Sequence, residues 1–197
     1  MPILLSEIKR KAFHHLSLLY MAMYAFCPRE FTLGVLFAAL VGVGVIEFLR
    51  LRRPELNAWL LGKFGGIHRS HEVTQPSGIF WALLGCWLTM FVFTNRRIVL
   101  PALGFLSFGD AAAALGGQRW GKRHWKGSPE KTYEGSACFA GVSALWALWF
   151  LPWPVAVLGA LIGAWLESRR LPWNDNVWLP LMSGLILSVL NLTIGRL

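Results

Sequence analysis

Charged side chains are scarce in this chain. They make up 15% of its 197 residues, where a soluble domain carries about 25%. Acids are scarcer than bases, with 10 Asp and Glu against 19 Lys and Arg, for a formal net charge of +9. In a soluble chain that excess would suggest nucleic acid. Here 55% of residues are hydrophobic and mean hydropathy is +0.51. The positive-inside bias of membrane loops explains the bases better, and no nucleic-acid partner is expected. Cysteine is also sparse. Cys27, Cys86 and Cys138 form no CxxC pair and are odd in number, which excludes a closed disulfide framework and reads as inert apolar thiols. The GxxxxGK[ST] pattern does not occur, so a Walker A loop is excluded. Internal repeats and low-complexity stretches are absent. The N-terminus lacks the basic, apolar and small-residue regions of a cleavable signal peptide, so the first span is expected to stay.

Long apolar runs are what the chain does have. A helix needs roughly 20 apolar residues, and at least about 17, to cross the hydrocarbon. Phe31–Phe48, Ser77–Phe93, Ile98–Leu115 and Val177–Ile194 meet this. Ser136–Phe150 is slightly short, with Trp146, Trp149 and Trp153 as an interfacial belt. Phe13–Phe26, which carries His14 and His15, and Pro154–Leu166 are weaker. With the N-terminus inside and all seven crossing, the inside segments are 1–12, 49–76, 116–135 and 167–176. They hold 15 of the 19 Lys and Arg, leaving only Arg29, Arg96, Arg97 and Arg196 outside. Dropping either weak span worsens that balance. The expected fold is therefore all-α: one domain over 1–197, a polytopic transmembrane helical bundle of about seven spans with a cytosolic nucleotide-binding loop. Within 49–76, Leu56, Trp59, Leu60 and Phe64 are spaced for a short interfacial helix.

Nine of the ten acids fall on or near the inside face, Glu30 being the exception. Glu47, Asp110, Glu134 and Glu167 lie within or at the ends of apolar spans. An ionisable group in hydrocarbon costs roughly 2.5–3.5 kcal/mol on the lenient insertion scale, so each suggests function. Asp110 is sharpest, about six residues or roughly 9 Å inside its helix end, with Gly109 and Ala111–Ala114 around it. The plain alternative is a helix-packing face with Asp110 paired to a base. The next segment, GGQRWGKRHWKGSPEKTYEGS, combines Gly116, Gly117, Gly121 and Gly127 with Arg119, Lys122, Arg123, Lys126 and Lys131. Backbone N–H groups of glycines converge readily on phosphate oxygens, and lysines neutralise them. Thr132 or Ser128 is placed to cap the following helix. A basic loop anchored to anionic lipid is the alternative. Asp175, between Asn174 and Asn176, offers hard oxygens suited to Mg²⁺, with Glu167 at the end of the preceding span. An Asx-type turn would use the same residues. Arg10, Lys11 and His14 enter the first span, as a topology signal or as part of the same site. Together these groups form the inventory that phosphoryl transfer needs, since its catalysis is mainly positioning and charge neutralisation.

KRKAFHH at 9–15, the GD at 109–110 with the glycine–lysine segment after it, and DNVWLPL at 175–181 resemble the CTP-dependent lipid kinase family. That family includes dolichol kinase, phytol kinase and fungal-type diacylglycerol kinase, and is related in motif style to phosphatidate cytidylyltransferase. The resemblance runs from the first span to the last. It implies transfer of the CTP γ-phosphate to the hydroxyl of a membrane lipid with Mg²⁺ or another divalent cation. Arg10 and Lys11 match the family's basic pair, Asp110 its GD acid, Lys131, Glu134 and Gly135 its K-x-x-E-G element, and Asp175 and Asn176 its DN pair. Thr132 stands where the family often has Ser, and the chain lacks the extra N-terminal spans of eukaryotic dolichol kinases.

The resulting expectation makes Asp110, Lys131, Glu134 and Asp175 catalytic and gives the cation to Asp110, Glu167 and Asp175. Arg10, Lys11, Gly116, Gly117, Gly121, Lys122, Lys126 and Asn176 hold the nucleotide. The expected location is a prokaryotic inner or plasma membrane with the site facing the cytosol, and a homo-oligomer is left open. Two alternatives stand beside it: cytidylyl transfer to phosphatidate, and a small ion-coupled transporter using Asp110 and Glu167, which would leave segment 116–136 unexplained.

Overall fold

The computed structural model describes residues 16–63, 73–169 and 174–195. It packs as two compact units, Met1–Trp87 and Leu88–Leu197.

The first unit contains α1 (Leu16–Phe26), α2 (Arg29–Arg52), α3 (Pro54–Lys63) and most of α4 (Gly78–Val92). Pro28 separates α1 from α2, because its ring fixes φ (here −57°) at the residue before the second helix. The buried Thr32 hydroxyl donates to the carbonyls of Met23 at 3.2 Å and Pro28 at 3.3 Å, tying the two helices together. At the other end of α2, Arg50 is only 2% exposed. Its Nε and Nη2 donate to Glu47 Oε2 at 3.0 and 2.6 Å, and its Nη1 donates to Asn57 Oδ1 at 3.0 Å. The same Glu47 oxygen accepts the Ser77 N–H at 3.0 Å. Glu47, singled out as an acid in an apolar run, is thus neutralised by its own helix and clasps the start of α4. The short helix expected within 49–76 is present as α3, with Trp59 exposed and no residue fully buried. Phe64 lies outside the described residues.

The second unit begins with one long helix, Arg96–Trp120, interrupted in the middle. It consists of α5 (Arg96–Gly104), a π-helical turn (Phe105–Gly109) and α6 (Asp110–Trp120). Strands β1 (His124–Trp125) and β2 (Ser128–Thr132) make a hairpin, and α7 (Tyr133–Ala147), α8 (Trp153–Glu167) and α9 (Asp175–Thr193) complete the unit. Neighbours in sequence pack on one another, α6 on α7, α7 on α8 and α8 on α9, and α9 returns to α5. The core of this closed ring holds Phe105 and Phe139, fully buried with ring centroids 5.9 Å apart. Gly163 of α8 leaves room for both rings, since a Cβ there would stand 3.0 Å from Phe105 and 3.2 Å from Phe139. Trp146 lies over Gly104 and donates its indole N–H to the Leu100 carbonyl at 3.0 Å.

Among the described residues, three helices are long and apolar enough to cross a membrane: Arg29–Arg52, Arg96–Trp120 and Asp175–Thr193. The other four expected spans coincide with the shorter helices α1, α4, α7 and α8. Segment 116–135, expected as a loop, is largely ordered. Helix α6 continues through Gly116 and Gly117 to Trp120 because those glycines pack against α7. A Cβ at Gly116 would stand 2.4 Å from Cys138 Sγ, and one at Gly117 would stand 3.0 Å from Thr132 Oγ1. The rest forms the hairpin, whose two-residue turn ends on Gly127 at φ +89°, a conformation that L side chains rarely adopt.

Candidate active site

Three elements of the second unit meet at Lys131, Glu167 and Asp175, and Asp110 lies within electrostatic reach of them from a fourth. The π turn delivers the first residue. Asp110 donates its backbone N–H to the Phe105 carbonyl five residues back, so the helix is wound one residue wide just before the acid. Such single-turn bulges recur at functional sites because they re-aim the side chains that follow. Gly109 permits the wide turn to sit against α7, since a Cβ there would meet Ser143 Oγ at 2.4 Å.

The second residue comes from the hairpin. Lys131, near the end of β2, directs its ammonium to Glu167 at the C-terminal end of α8, and the two form an ion pair. The Lys131 ammonium is also 3.7 Å from Asp175 Oδ2, in the first turn of α9. Asn174 caps α9 by accepting the Asn176 N–H at 3.0 Å. The Asx-type turn weighed against a metal site at 174–176 is present: it uses Asn174 and leaves the Asp175 carboxylate against Lys131. The side chains grade from buried to open: Glu167 is 3% exposed, Lys131 22% and Asp175 44%. Burial alone would lower the lysine pKa. The carboxylates of Glu167, Asp110 and Asp175 outweigh it and raise the pKa above the usual lysine value, so the ammonium is firmly charged.

Glu134 has a different place. Its Oε2 accepts the backbone N–H groups of Lys122 at 3.2 Å and Arg123 at 3.3 Å. Its own backbone N–H, with those of Lys122 and Arg123, holds its carboxyl below the usual range. The acid thus staples the turn after α6 to the start of α7. Thr132 caps α7, accepting the Gly135 N–H at 3.0 Å, as one of the two candidate caps was expected to do. Lys122, Arg123, Tyr133, Glu134 and Ala137 line an open groove beside this staple.

The expected glycine cradle takes another form. Gly116 and Gly117 lie within α6, and the Gly121 N–H donates to the Gly117 carbonyl at 2.9 Å. These glycines permit close packing: a Cβ at Gly121 would stand 2.7 Å from Thr132 Cγ2, and one at Gly135 would stand 2.7 Å from the Ala113 carbonyl oxygen. Lys122 and Lys126 are exposed beside the groove and on the hairpin turn. Arg10, Lys11 and His14 lie outside the described residues.

Sequence reasoning passed over an aromatic clasp. Trp125 stacks on Tyr133, with ring centroids 4.0 Å apart and planes 28° apart, and donates its indole N–H to Ser136 Oγ at 3.0 Å. The Arg169 guanidinium, two residues beyond α8, stands 5.8 Å over Trp125 and 4.9 Å over Trp165. Tyr133 and Arg169 are each two residues from a member of the Lys131–Glu167 pair, so the clasp holds the hairpin to α8 where the pair forms. Its sequence signal was the pair of tryptophans, Trp120 and Trp125, inside an otherwise charged segment.

The donor chemistry of Asp110, Glu167 and Asp175 suits a hard divalent cation. Among the described residues, no three His, Cys, Asp or Glu side chains stand together closely enough to hold a metal. The Lys131 ammonium stands against two of these carboxylates, Glu167 and Asp175.

Comparison with known proteins finds relatives along most of the chain. CTP-dependent diacylglycerol kinase 1 of Saccharomyces cerevisiae is 26% identical over 212 residues, covering 92% of this chain and 72% of that protein. CTP-dependent diacylglycerol kinase 1 of Schizosaccharomyces pombe is 26% identical over 161 residues, covering 72% of each. Dolichol kinase EVAN of Arabidopsis thaliana is 28% identical over 160 residues, covering 76% of this chain and 28% of that protein. No family model and no solved structure matches. These relatives support the resemblance to the CTP-dependent lipid kinase family that the motifs suggested.

Proposed function

We propose that this chain is a CTP-dependent kinase that transfers the γ-phosphate to the hydroxyl of a membrane lipid. The observation that carries the reading is the convergence of Asp110, Lys131, Glu167 and Asp175 from four separate elements. All four were singled out beforehand as phosphoryl-transfer residues. The relatives add the donor and the acceptor class, since all are lipid kinases by name and two are CTP-dependent. None is named a cytidylyltransferase or a transporter, so neither alternative gains support.

In this reading the whole of 1–197 acts as one integral membrane lipid kinase domain. Its seven spans lie within α1, α2, α4, Arg96–Trp120, α7, α8 and α9, with Glu134, Glu167 and Asp175 at their cytosolic ends, and the cluster faces the cytosol. Asp110, Glu167 and Asp175 would hold Mg²⁺ or another divalent cation. Such a cation, when bound, neutralises charge on the transferring phosphoryl group. Lys122 and Lys126, with Arg10, Lys11 and Asn176, bind the nucleotide phosphates. Gly116, Gly117 and Gly121 act one step back, by letting α6 approach α7 closely enough to seat the hairpin. Glu134 fixes the turn that carries Lys122. The lipid hydroxyl enters laterally between spans; its oxygen bonds to the γ-phosphorus as the bond from that phosphorus to the β–γ bridging oxygen breaks and CDP leaves, and the Asp110 carboxylate orients the hydroxyl and accepts its proton.

The test is Asp110→Asn. Purified wild type, given CTP and a panel of diacylglycerol and isoprenoid alcohols, should phosphorylate at least one of them. The variant should insert normally and lose turnover. Wild-type turnover in that variant would sink the assignment.

A further inference from the structure

The open groove beside the Glu134 staple has a volume of about 450 Å³ and is lined by Lys122, Arg123, Tyr133, Glu134 and Ala137. Small-ligand sites commonly fall in this size range. One wall is aromatic. Trp125 stacks on the Tyr133 ring, yet Tyr133 stays 45% exposed and lines the groove. Another wall is an acceptor. Among the described residues, three backbone N–H groups meet the Glu134 carboxylate, those of Lys122, Arg123 and Glu134 itself. A carboxylate offers about four acceptor sites, so one is left for a ligand. The exposed Lys122 adds a cation. We propose that this groove seats the base of the nucleotide, with Tyr133 stacked on cytosine and the Glu134 carboxylate accepting a hydrogen bond from its exocyclic amine.

Each feature answers one part of a cytidine nucleotide. Every base has a π-face, so stacking on Tyr133 supplies affinity with little choice among bases. The choice lies with Glu134. Its backbone donors hold the carboxyl ionised, and an ionised carboxylate only accepts. Cytosine presents an amine where uracil presents a carbonyl oxygen, and carboxylates pair with that amine in base recognition. The acceptor therefore suits cytosine and repels uracil. Reach fits as well. Glu134 lies three residues after Lys131, so their Cα atoms are at most about 11 Å apart. A nucleoside triphosphate with its base in the groove is long enough to pass Lys122 and bring its terminal phosphate to Lys131. The inference rests on the kinase reading for the role of the nucleotide, and its test reads binding rather than turnover.

Equilibrium dialysis of the purified full chain in detergent, without a lipid acceptor, measures CTP and UTP binding separately. Wild type should bind CTP at least about tenfold more tightly than UTP. Glu134→Gln should bring that ratio close to one, because an amide donates to the uracil oxygen as readily as it accepts from the cytosine amine. Tyr133→Leu should weaken both nucleotides by on the order of tenfold and keep the ratio, with Tyr133→Phe close to wild type. The ratio is taken within one preparation, so a partly unfolded variant does not distort it. A glutamate that served only the turn would, on removal, weaken both nucleotides alike. Equal binding of CTP and UTP by wild type, or an unchanged ratio in Glu134→Gln, would overturn the proposal. A second measurement uses wild type alone and is independent of any folding defect. 5-Iodo-CTP, irradiated on the protein and mapped by mass spectrometry, should cross-link to Tyr133 and be displaced by excess CTP. Cross-links that spare Tyr133 would overturn the base seat. A chain that selects CTP through Glu134 but phosphorylates no lipid would fail only the kinase reading. A chain that phosphorylates lipid from CTP with Glu134 indifferent to the base would fail only this one.

Discussion

Gly135→Ala should drive apart the two helices on which the acid cluster depends. Gly135 sits in the first turn of α7, where a Cβ would stand 2.7 Å from the Ala113 carbonyl oxygen, 3.0 Å from Thr132 Oγ1 and 3.3 Å from Gly117 Cα. Two of those atoms are helix backbone of α6 and cannot rotate aside. The third is the cap of α7 itself, which accepts the Gly135 N–H. Relief requires α7 to move off α6, and overpacking of this kind costs about 1–3 kcal/mol. The movement displaces Thr132, and with it Lys131 one residue away, from the end of α8. Gly141 supplies the control in the same helix, since a Cβ there meets nothing within 4 Å. With no steric term, Gly141→Ala should stabilise by roughly 0.5–1 kcal/mol, from helix propensity alone. Thermal denaturation in detergent should lower the midpoint for Gly135→Ala and leave it level or raised for Gly141→Ala, and lipid kinase turnover should fall only in the first. Equal effects of the two substitutions would refute the argument that close packing of α6 on α7 seats the site.

Other outcomes follow from the same geometry. Thr132→Ala removes the cap of α7 and should cost about 1 kcal/mol, while Thr132→Ser should recover most of it in the same denaturation assay. Trp125→Leu removes the stack on Tyr133 and the contact with Arg169. The nucleotide KM should rise more than kcat falls, with Trp125→Phe intermediate; a selective loss of kcat would speak against a positioning role. Glu134 has a depressed pKa in the folded chain, so its hold on residues 122–123 is complete above its ordinary value of 4.5 and is lost as pH falls through the lowered folded value. Limited proteolysis near Lys122 should therefore begin only below pH 4.5 in wild type. Glu134→Gln should be cut there already at neutral pH.

Much of this was legible in the sequence because lipid imposes coarse rules. Apolar run length marked the helices, and the one-sided Lys and Arg placed 116–135 with 167–176 on one face. That placement allowed Lys131 to be grouped with Glu167 and Asp175 before any contact was known. What stayed hidden depends on neighbours that composition does not name. Gly116 and Gly117 looked like a phosphate cradle, because a glycine pair beside lysines has the same composition whether its N–H groups face a ligand or its missing Cβ faces Cys138 and Thr132. Glu47 looked like Asp110, an acid in an apolar run, until Arg50 and the Ser77 N–H were found on its oxygen. The π turn before Asp110 left no composition signal, since FLSFG would serve equally well in an ordinary helix.

If CTP gives its γ-phosphoryl group to a lipid hydroxyl, the position of a phosphorus label in CTP decides what reaches the lipid. Purified protein in lipid–detergent micelles is given Mg²⁺ with diacylglycerol, an isoprenoid alcohol or phosphatidate, and CTP labelled in parallel at the γ- or the α-phosphorus. γ-Label alone should appear in the organic phase, with release of CDP and loss of the signal in Asp110→Asn. Transfer of α-label to phosphatidate, with release of pyrophosphate, would contradict it.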